Sequence, residues 1–334
     1  MSRKALFLGG TGNLSRDAAL RALDEGWELW LANRGTSNRD VAGARTLRVD
    51  ARDSDALRQA LKDGAWDSVV DFISYQPAHV RAVLGALGNV GQYVFISSAS
   101  CYHKPPLGGP IREDTPLANP FWAYSRDKIR CEEALNAYAR APGSVPVTVV
   151  RPSHTYGETW IPSIFGSASF AAAARLLSGK PMLVHGDGTT RWTLTHARDF
   201  AVGLVGIMGN NGAHGQAVHI TGDSAPTWTD IYRTLGRLLG AEASFAFVPA
   251  DFIAEQDPGF AERLLGDKGW DTVFDNTKLK ALVPGFSSSV TLEQGLAESL
   301  AYYRAHPELM VGDPGLDVRL DAVIAAWRSA LARG

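Results

Sequence analysis

Cysteine is scarce in this chain, which has 334 residues and only two cysteines, Cys101 and Cys131. Two cysteines are too few for the disulfide framework of a small secreted domain. Neither sign of charge is in excess, because 33 Lys and Arg stand against 35 Asp and Glu and give a formal net charge of −2. Such a balance argues against a protein dedicated to binding the phosphate backbone of nucleic acids.

Long apolar runs are also missing. No stretch reaches the length that crosses a bilayer, and the run at residues 5–8 near the N-terminus is too short for a signal peptide. The eight histidines stand in no spacing that is typical of metal ligands with cysteines or carboxylates. The sequence therefore predicts a cytoplasmic protein without a membrane partner, a nucleic-acid partner or a metal ion.

Short apolar runs alternate with amphipathic stretches through the first half of the chain. The runs predict strands at 5–8, 28–32, 46–49, 68–73, 92–96 and 145–150. Helical periodicity predicts helices between them, the last from about Tyr124 to Ala139. This alternation predicts an α/β fold with a Rossmann-type, doubly wound parallel sheet. Ligands of such sheets bind at the carboxyl ends of the strands.

The second half is less regular and predicts a smaller mixed domain that binds substrate. Helices are predicted at 171–177, 198–208, 229–239, 292–304 and 320–332, and a strand at 217–220. That strand can return to the first sheet. We therefore expect a dinucleotide-binding domain at 1–155 that also receives 196–222, and a discontinuous, mainly substrate-binding domain at 156–334.

A glycine-rich turn separates the first predicted strand from the first predicted helix. Gly9 and Gly12 hold the first two glycine positions of a G-x-x-G-x-x-G pattern, and Ser15 replaces the third. Glycine lets the backbone approach a pyrophosphate, and the helix N-terminus behind the turn offers free N–H groups. The strand–turn–helix context favours a dinucleotide site over an ordinary glycine turn. The expected cofactor contacts are Gly9, Thr11, Gly12, Asn13 and Leu14.

The end of the second predicted strand indicates which dinucleotide binds. An acidic residue there would bond the adenosine ribose, but this chain has Asn33 followed by Arg34. Arginine pairs well with a phosphate, so the sequence favours NADP(H), with NAD(H) as the alternative if Arg34 is only a solvated loop residue. After the third strand, Asp50 either meets the adenine or caps a turn, and Ala51 follows it. Further cofactor contacts are expected after later strands, from Phe72, Ile73, Ser74, Pro152, Ser153 and His154.

Tyr124 and Lys128 are four residues apart, so both face the same side of a predicted helix. A free tyrosine titrates near pH ~10, and a nearby cation favours its phenolate and lowers that pKa. The pair can therefore move a proton on or off a carbinol oxygen while hydride moves to or from a nicotinamide. Ser98, at the end of the fifth predicted strand, can hydrogen-bond the same oxygen.

In this order the motifs resemble the extended short-chain dehydrogenase/reductase family, the group of nucleotide-sugar epimerases and dehydratases. The matching segments are Gly9–Ser15, Ser98 with Tyr102, Tyr124 with Lys128, Arg151-Pro152 with Tyr156-Gly157, Gly186–Gly188, Thr195-His196 and Asp199–Ala201. The resemblance covers nearly the whole chain. It implies a catalytic triad of Ser98, Tyr124 and Lys128 in an NAD(P)-dependent reaction on a nucleotide sugar.

The chain departs from that family's pattern in three places. Dehydratases carry an Asp-Glu pair after the catalytic hydroxyl residue, but Ala99 and Ser100 follow Ser98 here, so a dehydratase is not expected. The segment between Asp71 and Ser98 is short, which leaves both a monomer and a homodimer open. The arginine expected for the sugar-nucleotide phosphate is one register off, at Arg191.

Candidate substrate contacts are Tyr75, Ser100, Tyr102, His154, Arg191 and Trp192. A structural loop role for His154 and core packing of Trp192 are the competing interpretations. The sequence favours an epimerase of a nucleotide-activated sugar, in which Tyr124 takes the carbinol proton and hydride leaves and returns to the other face of a keto intermediate. An NADP(H)-dependent carbonyl reductase is the alternative, which Arg34 favours. A non-catalytic nucleotide-sensing or RNA-binding relative is a third.

Overall fold

The structure is a computed structural model that describes residues 3–35, 39–50, 52–61, 64–165 and 169–333. Ala51, a predicted cofactor contact, lies outside the described residues. Within these ranges the strands are β1 Lys4–Leu8, β2 Glu28–Asn33, β3 Arg45–Arg48, β4 Ala65–Trp66, β5 Ser68–Asp71, β6 Asn89–Val90, β7 Tyr93–Ile96, β8 Val147–Pro152, β9 His154–Tyr156, β10 Met182–His185, β11 Leu194–His196, β12 Ala217–Ile220 and β13 Phe245–Val248. The α-helices are α1 Asn13–Asp24, α2 Ser54–Leu61, α3 Pro77–Ala86, α4 Ala123–Ala139, α5 Ala171–Leu177, α6 Ala197–Ile207, α7 Trp228–Leu239, α8 Ala250–Gln256, α9 Pro258–Arg263, α10 Thr277–Leu282, α11 Leu292–Ala305 and α12 Pro314–Leu331. There are also a π-helix at Leu264–Lys268 and 3₁₀ turns at Ala99–Cys101, Asn211–Ala213 and Pro307–Leu309.

Seven of these strands form one sheet in the order β12-β8-β7-β5-β1-β2-β3, and all of its neighbouring strands are parallel. The order reverses beside β1, which pairs with β2 on one edge and with β5 on the other. A doubly wound sheet has a ligand-binding crevice at such a reversal. The predicted α/β fold class is confirmed, and 217–220 does return to the first sheet, as β12 beside β8.

Helices cover both faces of this sheet, which explains why its strands are continuous apolar runs. Along β1, Ala5 and Phe7 pack in a core with α1, α6 and α10. Leu6 and Leu8 point to the opposite face and pack with α2, α3 and α4. This alternation follows from the two-residue period of a strand. The strand ends that border the crevice are therefore held between two packed layers.

A third apolar core joins the elements of the second half and packs α5, α7, α11 and α12 together. Helix α7 begins with a capping box between Thr227 and Asp230 and ends at Gly240, where φ is +69°. The sequence did not predict the π-helix or the β10–β13 pair. A single π-turn has no periodic pattern to read. The domain boundary near residue 155 stays a prediction.

Among the described residues, no helix is long and apolar enough to cross a membrane.

Candidate active site at the carboxyl ends of the strands

A cleft of about 660 Å³ opens at the carboxyl ends of β1, β5, β7 and β8. The first turn of α1 forms one wall, and residues 96–100 after β7 form another. The start of α4 and the π-helix close the cleft from the side of the second half. A volume of this size is typical of small-molecule and cofactor sites.

The glycine turn after β1 has a backbone that only glycine adopts without strain. Gly9 and Gly10 have φ of +101° and +116°, and a Cβ on Gly10 would lie 2.6 Å from Leu31 Cδ2. Ser15, in place of the third glycine, is buried and its Oγ accepts the Gly12 N–H at 2.9 Å. The remaining N–H groups of the first turn of α1 stay available to a pyrophosphate. This cradle fits a dinucleotide.

The adenosine end of the crevice carries positive charge without an acidic residue at the end of β2. Asn33 Oδ1 accepts the Gly35 N–H at 2.8 Å and shapes the turn. Arg34 is exposed and makes no hydrogen bond or ion pair with the part of the chain that the structure describes. Asp50 Oδ1 accepts the Arg52 N–H at 3.0 Å, so Asp50 caps a turn. Arg34 is therefore available to a phosphate.

Lys128 is buried at the centre of the site. Its Nζ donates to the carbonyl oxygens of Ser74 and Ile96, both at 2.7 Å. Burial lowers the pKa of Lys128 to about 8. Two of the three ammonium protons are therefore engaged by main-chain carbonyls, and one remains for a ligand.

Tyr124 lies one helical turn before Lys128 and lines the same cleft as Ser98. Burial raises the pKa of Tyr124 well above its usual value, and the hydrogen bond with Ser98 opposes this only in part. The sequence predicts a lowered pKa for Tyr124, but the pKa is raised in the structure because burial dominates. Lys128 Nζ lies 5.9 Å from the Tyr124 ring centroid, and the ammonium is hydrogen-bonded to two main-chain carbonyls. Near neutral pH the phenol is a proton donor.

Asp71, at the end of β5, is a positioning residue that sequence reasoning did not assign. Its Oδ1 accepts the N–H groups of Ile73 and Ser74, both at 2.9 Å, and its Oδ2 accepts the Tyr93 hydroxyl at 2.6 Å. The carboxylate therefore holds the turn whose Ser74 carbonyl receives Lys128. The sequence marks this residue only as an aspartate within the predicted strand at 68–73, which is otherwise largely apolar.

Aromatic rings form another wall of the cleft. Trp192 is buried and stacks on Trp228 with 5.7 Å between ring centroids, and His154 lies 5.7 Å from Trp160 and 6.4 Å from Trp192. Within the described residues, neither Trp192 Nε1 nor His154 Nε2 has a hydrogen-bond partner, although both atoms are buried. Burial lowers the pKa of His154 well below its usual value, so the ring is neutral. The wall thus offers two polar atoms to a ligand.

Two predicted substrate contacts do not face the cleft. The Tyr102 side chain is fully buried, and its hydroxyl contacts Arg151 Nη1 and His219 Nδ1, each at 3.2 Å. Arg191 is exposed and pairs with Asp271 at 2.8 Å. The 3₁₀ turn at Ala99–Cys101 directs Tyr102 back into the core. Tyr102 and Arg191 therefore do not line the cleft among the described residues, and their substrate contacts stay predictions.

The other predicted substrate contacts lie at the cleft. They are Tyr75, Ser100, His154 and Trp192. The Tyr75 ring centroid is 4.6 Å from Lys128 Nζ. The hydroxyl of Ser100, in contrast, is engaged by neighbouring serines.

The π-helix brings Asp267 and Lys268 to the cleft, and sequence reasoning missed both. Burial raises the pKa of Asp267 to about 6 and lowers the pKa of Lys268 to about 8. Lys268 Nζ donates to the Ser163 carbonyl at 2.7 Å. No pattern in the sequence marks these residues, because their position depends on how the π-helix packs against Trp122.

The chain is similar in sequence to known proteins. A model of the family described as "NAD dependent epimerase/dehydratase family" matches residues 5–221. The 2'-dehydrokanamycin reductase of Streptomyces kanamyceticus is 30% identical over 287 residues, which cover 85% of this chain and 80% of that protein. The chloroplast stem-loop binding protein of 41 kDa b of Arabidopsis thaliana is 24% identical, over 88% of this chain and 80% of that protein.

Among solved structures, UDP-glucuronic acid 4-epimerase from Bacillus cereus, in complex with UDP-glucuronic acid and NAD, matches with a TM-score of 0.72. The match covers 91% of this chain and 99% of that chain at 19% identity. At this identity the likeness shows the fold alone.

The burial of Lys128 makes protein stability depend on pH. Its pKa is about 8 in the folded chain, against the usual 10.5, so the unfolded chain binds more protons between these values. The free energy of unfolding of the wild type should therefore rise with pH across that window, relative to Lys128→Met. Urea unfolding of both proteins at about pH 7.5 and about pH 9.5 measures this. A difference between the two proteins that does not change with pH would contradict the prediction.

Proposed function

Because this chain belongs to the NAD dependent epimerase/dehydratase family, we propose that it is an NADP(H)-dependent reductase that converts a ketone of a sugar into a carbinol. The family resemblance inferred from the motifs is thereby confirmed. The observation that carries the proposal is that Ser98, Tyr124 and Lys128 line one cleft beside the glycine turn. Two observations favour net reduction over epimerisation. These are the available Arg34 and the 30% identity to a reductase over most of both chains.

NADP(H) would lie along the carboxyl ends of β1 and β2. The glycine turn, with Gly9, Thr11, Gly12, Asn13 and Leu14, would hold the pyrophosphate, and Asn33 and Arg34 would hold the adenosine ribose and its 2′-phosphate. Further contacts are proposed for Asp50, Ala51, Phe72, Ile73, Ser74, Pro152, Ser153 and His154. When bound, the nicotinamide supplies the hydride that the reduction consumes.

Tyr124 would supply the proton of the reaction. Burial keeps its phenol protonated near neutral pH, so it can donate to the carbonyl oxygen as negative charge develops there. Ser98 donates a hydrogen bond to the same oxygen, and the Lys128 charge stabilises the phenolate that remains. The C=O bond becomes CH–OH, and Tyr124 recovers its proton from solvent. No further acid or base is required.

The aromatic wall would hold the sugar. Trp160 and Trp192 line the cleft, and aromatic rings suit the apolar faces of a sugar ring. The Trp192 N–H, which has no partner among the described residues, would donate to a sugar hydroxyl. The neutral His154 ring would bond a second hydroxyl, and Tyr75 and Ser100 border the reacting end.

Epimerisation of a nucleotide-activated sugar is the second candidate. The same triad would serve epimerisation. Tyr124 would take the carbinol proton when hydride leaves and give it back when hydride returns. Arg263 and Lys268 also line the cleft and would face a diphosphate. Ala99 and Ser100, by contrast, supply no acid and base for dehydration.

The first prediction of this proposal concerns stoichiometry and Tyr124. Incubation with NADPH and a panel of sugar ketones, with and without a nucleotide, should consume one NADPH per carbinol formed. Tyr124→Phe should lower kcat by roughly 10²–10⁴-fold while the Kd for NADPH stays unchanged. Tyr138→Phe is the control, because Tyr138 lies in the last turn of α4 and its hydroxyl accepts the Val145 N–H at 3.1 Å.

Two results would decide against net reduction. Inversion of a nucleotide sugar without net NADPH consumption would select epimerisation. Full activity of Tyr124→Phe would overturn the proposed mechanism for both reactions.

A second prediction concerns cofactor choice. Arg34→Ala should weaken NADPH binding roughly tenfold or more, because a charge-assisted bond to the 2′-phosphate is lost, and should leave NADH binding unchanged. Titration of the intrinsic fluorescence measures both Kd values. Arg81→Ala is the control, since Arg81 is an exposed arginine on α3. Equal losses for NADPH and NADH would refute the assignment.

A third prediction concerns the aromatic wall. Trp192→Phe keeps an aromatic ring face but removes the indole N–H together with the five-membered ring, so KM for the sugar should rise roughly tenfold while NADPH binding is unchanged. Trp66→Phe is a matched control, because Trp66 Nε1 also has no partner among the described residues but lies in β4, away from the cleft. An unchanged KM in Trp192→Phe would exclude this contact.

A further inference from the structure

A row of three serine hydroxyls runs from the cleft into the protein. Ser125 Oγ donates to Ser100 Oγ at 2.7 Å, and Ser100 Oγ lies 2.8 Å from Ser98 Oγ. The Ser100 N–H also donates to Ser98 Oγ, at 3.2 Å. Ser125 is fully buried and Ser100 is 4% exposed. Of these three serines, the proposed reaction uses only Ser98, so the roles of the Ser100 and Ser125 hydroxyls need an explanation.

The directions of these bonds follow from counting protons. A serine hydroxyl has one proton to donate and two lone pairs to accept with. Ser125 gives its proton to Ser100, and among the described residues Ser98 Oγ is the one acceptor within reach of the Ser100 proton, so we assign that proton to it. Ser98 Oγ then accepts twice, from the Ser100 N–H and the Ser100 hydroxyl. Its own proton must therefore point away from the row, toward the cleft and Tyr124.

We propose that Ser100 and Ser125 are positioning residues that fix Ser98 as a hydrogen-bond donor to the reacting oxygen. Without them the Ser98 hydroxyl can turn its proton inward and present a lone pair to that oxygen, which would repel it. With them the donor is oriented before the ligand arrives, which is how preorganised groups stabilise developing charge. Hydrogen bonds in a chain also polarise one another and strengthen the last donor.

The row ends inside the protein, so it orients a proton and does not conduct one. Ser125 has no exposed surface. The turn that carries Ser100 is itself held, because Asn119 Nδ2 donates to the Ser100 carbonyl at 2.8 Å. Ser98 therefore keeps its proton through the reaction, and Tyr124 is the group that gives one up.

This inference rests on the proposed function, and a double-mutant cycle tests it. Ser125→Ala should lower kcat roughly three- to tenfold and leave KM and the Kd for NADPH unchanged. In a Ser98→Ala background the same substitution should have no further effect, since the donor it orients is gone. Ser144→Ala, a hydroxyl loss just beyond the C-terminal end of α4, is the control and should match the wild type.

Each outcome of the cycle is informative. An equal loss of kcat in both backgrounds would mean that Ser125 has only a structural role, and no loss in either would mean that Ser98 needs no support. Both results overturn the inference while the reductase proposal stands. A wild type that converts no sugar would defeat the proposed function instead.

A second measurement does not depend on turnover. Neutron diffraction from crystals of the deuterated protein should place the Ser100 deuterium toward Ser98 and the Ser98 deuterium away from Ser100. A Ser98 deuterium that points at Ser100 would overturn the inference.

Discussion

The buried ammonium of Lys128 is the interaction on which the candidate site depends. It joins the carbonyl of Ser74, after β5, to that of Ile96, at the end of β7. One side chain of α4 thus holds two neighbouring strand ends together. A buried ammonium without such partners would be costly, so helix, strands and charge stabilise one another only in this arrangement. The position of Tyr124 at the crevice follows from it, because the helix cannot slide along the sheet without exposing the charge to unpaired surroundings.

Asn119 extends this constraint to the substrate side. Its Nδ2 donates to the carbonyls of Ser100 and Gly266, at 2.8 Å and 2.6 Å, and its Oδ1 accepts two N–H groups at 121–122. The buried Asn119 amide therefore makes the four hydrogen bonds that an amide group can make. They connect the turn after Ser98, the start of α4 and the π-helix. The shape of the cleft and the relative positions of Ser98 and Tyr124 are consequently set together.

The sheet and the shared cleft of Ser98, Tyr124 and Lys128 could be predicted because their signals are local. A buried parallel strand is a short apolar run, and the i, i+4 spacing of Tyr124 and Lys128 places them on one helix face whatever surrounds it. A motif does not reveal where a side chain points after a turn, so the sequence did not show that Tyr102 contacts Arg151 or that Arg191 pairs with Asp271. Asp267 was missed because only long-range packing of a π-helix brings it to the cleft.

Ser97 and Ser98 also show that residue type alone does not reveal where a side chain points. They are adjacent and chemically identical, yet Ser97 Oγ donates to Glu132 at 2.5 Å, beside the pairing of that carboxylate with Arg151, whereas Ser98 Oγ bonds to the Ser100 hydroxyl. Successive side chains of an extended segment point to opposite sides, so the two hydroxyls that follow β7 point in opposite directions. Loss of the Ser97 hydroxyl would leave a buried ion pair less satisfied, whereas in the proposed reaction loss of the Ser98 hydroxyl would remove a donor to the reacting oxygen. Strand geometry, and not residue type, therefore gives the two serines different partners, and this difference is why the proposed reaction uses Ser98.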